Sequence, residues 1–104
     1  MDSETTVEEL KQSFCRFRDE MDWDEVHTVE NVSSAISVEA AELLELFLWS
    51  KSSNGLSEAD QVNVSHELAD IIMLCLSMAD LLDVDICDLL TEKMAIHRRK
   101  YTEI

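Results

Sequence analysis

The stretch Glu67-Leu68-Ala69-Asp70-Ile71-Ile72-Met73-Leu74-Cys75-Leu76-Ser77-Met78-Ala79 decides the fold. Two carboxylates three residues apart open onto an uncharged run, Ile71 to Ala79, without a Gly or Pro to interrupt it. Leu, Met, Ala and Ile favour helix or helix-core positions. Ser57 with Asp60 forms a cap at the start of this segment, and the pattern runs on to about Leu82. From Leu68 to Leu82 it is apolar nearly all round, so this third helix is predicted to be central. The uncharged run is far shorter than the ~20 residues that span a bilayer.

Working outward, three more helices are expected. Thr6 and Glu9 form a capping box for a first helix over about Val7–Met21, with Leu10, Phe14 and Phe17 at helical spacing. A connection carrying Trp23 and His27 leads to a second, over about Val32–Trp49. Lys51 to Gly55 breaks the pattern, and Gly55 suits a turn. Asp85 caps a fourth helix over about Ile86–Tyr101. Pro is absent and Gly occurs once, which disfavours a β-rich fold with many tight turns. The expected fold is all-α: one domain over residues 1–104, an antiparallel four-helix bundle with short loops.

The net charge of −15, from 23 acidic and 8 basic residues, repels nucleic acid polymers and anionic membranes. The three cysteines include no C-x-x-C pair, which argues against a disulfide scaffold or zinc site. With an acidic N-terminus unlike a signal peptide, they point to a reducing cytoplasm. Cys75, inside the apolar run, is expected in the core.

The acidic residues beside apolar runs need a separate account. Glu39 and Glu42 lie one turn apart on one face of the second helix, and Glu67 and Asp70 repeat the spacing on the third. If the two helices are antiparallel neighbours, four carboxylates converge. Two unit charges about 4 Å apart repel by roughly 4 kcal/mol at an effective dielectric near 20. Removal from water adds several kcal/mol per ion. A hard divalent cation, Mg²⁺ or Mn²⁺, relieves both costs and bridges to phosphates. E-x-x-E pairs are also common on solvated helix faces, and Glu45, which continues the 39/42 spacing, is either a further ligand or solvated. His66-Glu67 begins an H-E-x-x-H pattern, but Asp70 stands where the second His belongs, and di-iron bundles need E-x-x-H pairs that are missing here.

Glu39-x-x-Glu42, 24 intervening residues, then Glu67-x-x-Asp70 resembles the metal motif of the MazG-like all-α nucleoside triphosphate pyrophosphatases, closest to their dCTP pyrophosphatase branch. Asp22-Trp23 with His27 and Asn31, the run Ala41 to Trp49, Glu67 to Ile71, and Lys93 to Tyr101 are similar to that branch in order and spacing. The resemblance implies Mg²⁺-dependent cleavage between the α and β phosphates, a house-cleaning activity on dCTP or a related dNTP. It implies that Glu39, Glu42, Glu67 and Asp70 hold the metal, with Glu39 or Glu42 activating water. Lys93 and Arg98 then clamp phosphate, against the alternative that they only complement a helix C-terminus. Trp23, Trp49, His27, Asn31 and His97 are the base and sugar candidates, though bundle aromatics more often simply pack. The resemblance also implies a homodimer or a homotetramer of two dimers.

Three positions depart from the branch: His97 replaces a usual Asn, Leu74 a frequent Tyr, and Phe14 a frequent His. All three are substrate-facing in the relatives, so the preferred base is expected to shift. The competing reading is a catalytically inactive acidic helical module that binds a basic protein.

Overall fold

The computed structural model describes residues 1–48 and 55–102, which form four helices and, among the described residues, no strand. They are α1 (Val7–Glu20), α2 (Val29–Leu48), α3 (Glu58–Leu82) and α4 (Ile86–Thr102). The all-α expectation holds.

The caps follow the side chains that the sequence offers. Thr6 Oγ1 accepts from the Glu9 amide at 3.0 Å, and Glu9 Oε1 accepts from the Thr6 amide at 3.1 Å, a reciprocal box. Ser57 Oγ accepts from the Asp60 amide at 3.1 Å and Asp85 Oδ1 from the Asp88 amide at 2.9 Å. The second helix starts three residues before the expected Val32. Thr28 Oγ1 accepts from the Asn31 amide at 3.1 Å and so caps the earlier turn.

Two helices end alike. Asp22 (φ 57°) follows α1 and Asp83 (φ 53°) follows α3, both in the left-handed region that Asp tolerates better than most residues. The Trp23 amide then bonds back to Arg18 O at 3.0 Å, and the Val84 amide to Ala79 O at 3.1 Å.

α2 and α3 pack along their length, and α1 packs across α3. The α2–α3 pair is antiparallel: Val32 and Ala35 meet Leu74, while Glu39, further along α2, meets Glu67, further back along α3. Phe14, Cys15, Val32, Leu76 and Ala79 form the core. Cys15 is therefore the core cysteine, and Cys75, expected there, is exposed. It lines an open groove together with Leu10 of α1 and Ile36 of α2.

α4 lies chiefly against α1 and buries none of its own residues. The single chain is thus three packed helices and one outlying helix, rather than a closed bundle of four. Its radius of gyration, 16.5 Å, exceeds the roughly 13 Å of a compact chain of this length. By length and composition alone α3 is apolar enough to cross a membrane. Here that apolarity lines a 410 Å³ groove among the helices, where Leu82, Leu89 and Leu90 remain about half exposed.

Candidate active site

The antiparallel register of α2 and α3 sets the site. It brings carboxylate oxygens of Glu39, Glu67 and Asp70 within 4.8 Å of one another, all three half-buried. Glu42 is exposed and lies outside this group of three, against Glu39. Three of the four expected carboxylates therefore converge and the fourth stands at their edge.

One oxygen of Glu39 and one of Glu67, Oε2 in each, are fully buried without a hydrogen-bond partner among the described residues. Buried carboxylate oxygens are normally satisfied. Protonation offers one way out. A hydrogen bond to Glu67, burial, and the hydrogen bond and charge of Glu42 push the Glu39 carboxyl up to about 7. A hydrogen bond between two carboxyl groups requires a proton on one of them, so with both charged that bond is lost. A cation offers the other way out. The donor set is entirely oxygen and anionic, which suits a hard divalent ion such as Mg²⁺ or Mn²⁺ and not a thiophilic one.

Beside the carboxylates lies a cavity of 280 Å³, just under the ~300–1,000 Å³ usual for small-molecule pockets. Glu39 and Asp70 form its acidic wall; Phe14, Phe17, Trp23, His27, Met73 and Leu74 form the rest. The bend at Asp22 turns Trp23 back over α1, edge-to-face on Phe17 with ring centroids 5.4 Å apart. The His27 amide bonds to Trp23 O at 3.0 Å, and the two rings stack with centroids 6.1 Å apart. His27 Nδ1 lies 2.8 Å from Ser77 Oγ on α3. Burial and the nearby Arg18 charge pull the His27 pKa below its ordinary value, favouring the neutral ring.

Of the other expected site residues, Asn31 is committed elsewhere. Its Nδ2 donates to Val26 O at 3.0 Å, tying down the turn before α2. Lys93, His97 and Arg98 are exposed on α4, and none lines the cavity beside the carboxylates. His97 stacks on Tyr101 at 5.7 Å. Trp49 lies outside the described residues. Met73, Arg18 and Ser77 were not anticipated from the sequence. The available signal was Ser77, the single hydroxyl within Ile71–Ala79.

A sequence profile of the MazG-like family matches residues 34–104, a span holding all four carboxylates and α4. The chain is 30% identical over 102 residues to dCTP pyrophosphatase 1 of Homo sapiens, covering 94% of this chain and 60% of the human one. It is 28% identical over 102 residues to the Mus musculus protein of the same name. The chain thus spans about 60% of the length of the curated relatives it matches. A crystal structure of a pyrophosphatase from Archaeoglobus fulgidus superposes with a TM-score of 0.82 at 34% identity, covering 92% of each chain.

Proposed function

The chain belongs to the MazG-like family, and from that premise we propose that it hydrolyses a nucleoside triphosphate to the monophosphate and pyrophosphate, with dCTP or a related dNTP favoured. One observation carries the reading: three half-buried carboxylates within 4.8 Å beside an aromatic cavity. The pyrophosphatase names of the similar proteins support the reaction, and those of the curated relatives support the base.

Glu39, Glu67 and Asp70 would hold Mg²⁺, with Mn²⁺ as a substitute, and Glu42 would complete the set or serve beside it. A divalent cation there supplies neutralisation of phosphate charge and acidification of water. The chain's own residues do the rest. Glu42, exposed at the edge of the cluster, is left free to orient the attacking water and take its proton. Trp23, Phe14 and Phe17 give the base apolar faces.

Lys93 and Arg98 stand on the outlying α4 and reach phosphate only as part of a larger assembly. A second copy seated on the groove of Leu82, Leu89 and Leu90 would bury that apolar surface and close the bundle, so a homodimer or a tetramer of two dimers belongs to this reading. The activity is of the house-cleaning kind, acting on free nucleotides rather than on a nucleic acid polymer.

The test is pyrophosphate release from a panel of NTPs and dNTPs with Mg²⁺, beside Glu42→Gln. Metal-dependent release that the variant loses supports the reading. No release from any nucleotide by folded protein would refute it and favour an inactive acidic interaction module.

A further inference from the structure

Arg18, His27 and Ser77 come from three separate segments and meet beside the cavity. Ser77 is completely buried on α3. Arg18 Nη1 donates to its Oγ at 3.3 Å, and His27 Nδ1 lies 2.8 Å from the same oxygen. Arg18 is itself buried and held by Asp80 at 3.1 Å and Asp19 at 3.4 Å.

Counting donors settles how this triad is wired. A guanidinium only donates, so Ser77 Oγ accepts from Arg18. The Ser77 hydroxyl hydrogen must then find an acceptor, because buried hydroxyls are hydrogen-bonded. Among the described residues the acceptor within reach is His27 Nδ1. Ser33, Ser34 and Ser37 on α2 spend that hydrogen on a carbonyl four residues back; Ser77 has His27 Nδ1 instead. An accepting Nδ1 on a neutral imidazole leaves the proton on Nε2.

We propose that Arg18 and Ser77 are positioning residues that lock His27 as the Nε2–H tautomer, and that His27 thereby reads the substrate base as a hydrogen-bond donor. The group it selects is an acceptor on the base edge, a ring carbonyl or unprotonated ring nitrogen, in preference to an exocyclic amine. The stack on Trp23 fixes the plane of the ring, and the Ser77 bond fixes its rotation. The lowered His27 pKa agrees with this wiring, since a second proton would have to displace the Ser77 donor. The base-reading role rests on the nucleotide-hydrolase reading above; the tautomer does not.

The test has two arms on the full chain. Long-range ¹H–¹⁵N NMR of the nucleotide-free protein near neutral pH should show His27 protonated at Nε2 and bare at Nδ1, and Ser77→Ala should lose that single pattern. A proton on Nδ1 would overturn the proposal. In turnover, dCTP and dTTP should exceed the deoxynucleoside triphosphate of nonpolar difluorotoluene in kcat/KM by roughly tenfold to a hundredfold. That ratio should collapse towards one in Ser77→Ala and in His27→Phe, mainly through KM. His27→Phe keeps a ring against Trp23 and stands in if Ser77→Ala does not fold. A ratio unchanged in the folded variants would overturn the base-reading role. Absence of turnover by the unaltered chain would overturn that role together with the hydrolase reading, and the NMR arm would still decide the tautomer by itself.

Discussion

Glu39 and Glu67 face each other across the α2–α3 seam, each with a buried oxygen that no donor among the described residues satisfies. A proton on Glu39 lets the two carboxyl groups hydrogen-bond, and that bond is lost when Glu39 gives the proton up. The pair's behaviour with pH and with metal can be read from that alone.

Without metal, the Glu39 carboxyl titrates near 7 in the folded chain, well above its ordinary value. A group that binds its proton more tightly when folded stabilises the fold fully below its unfolded pKa. That contribution is lost as pH rises through the folded value. The metal-free melting temperature should therefore fall between about pH 5 and 8 in the Glu39-dependent part of the curve. Glu39→Gln should flatten that part, and differential scanning calorimetry measures it.

Metal binding runs the opposite way, because the ligands must be deprotonated. Apparent Mg²⁺ affinity should rise about tenfold per pH unit below 7 and level off above it. At a hundredfold excess over Kd the ion should add about 2.7 kcal/mol of stability. A flat melt at saturating Mg²⁺, pH 8, would count against the site.

Replacing Glu67 by Gln supplies the donor that Glu39 lacks and removes one charge. Metal-free stability at pH 8 should rise by about 1 kcal/mol, the scale of one repulsion at 4 Å in water-like surroundings. The Mg²⁺-induced shift should vanish. Turnover should fall by more than the ~10–100-fold typical of losing a metal's outer-shell partner. Denaturant melts and pyrophosphate release read the two effects separately.

Leu90 is 55% exposed on α4 and lines the apolar groove. Burying a Leu is worth about 1.5–3 kcal/mol, so on the assembly reading proposed above Leu90→Asp should give a monomer and lose the phosphate contacts proposed for α4. Sedimentation velocity would show the change. An unaltered chain that sediments as a monomer at micromolar concentration would defeat the assembly reading.

Thr6→Ala removes one half of the reciprocal cap and should cost roughly 1 kcal/mol. Because α1 carries Phe14 and Phe17, the variant should also raise KM, which a kinetic titration would detect.

The elements were legible because their signals are local. Thr6, Ser57 and Asp85 each name a helix start, and the structure uses all three. Thr28 has the same chemistry but was hidden by the connection around His27. The carboxylates were legible because i, i+3 spacing on two helices is a one-dimensional pattern. The outlying position of α4 and the exposure of Cys75 depend on which faces find partners, and no spacing encodes that. The Arg18–Ser77–His27 triad joins residues as much as 59 positions apart, so only the folded chain brings it together.

The extent of the family match divides the site in two. The carboxylates lie within residues 34–104, whereas Phe14, Phe17, Trp23 and His27 all precede that span. The aromatic side of the cavity is thus carried mostly on residues 7–27, while Met73 and Leu74 complete it from within the matched span. Exchanging residues 7–27 alone would therefore replace the aromatic wall while leaving Glu39, Glu42, Glu67 and Asp70 in place, so two touching walls can be varied one at a time.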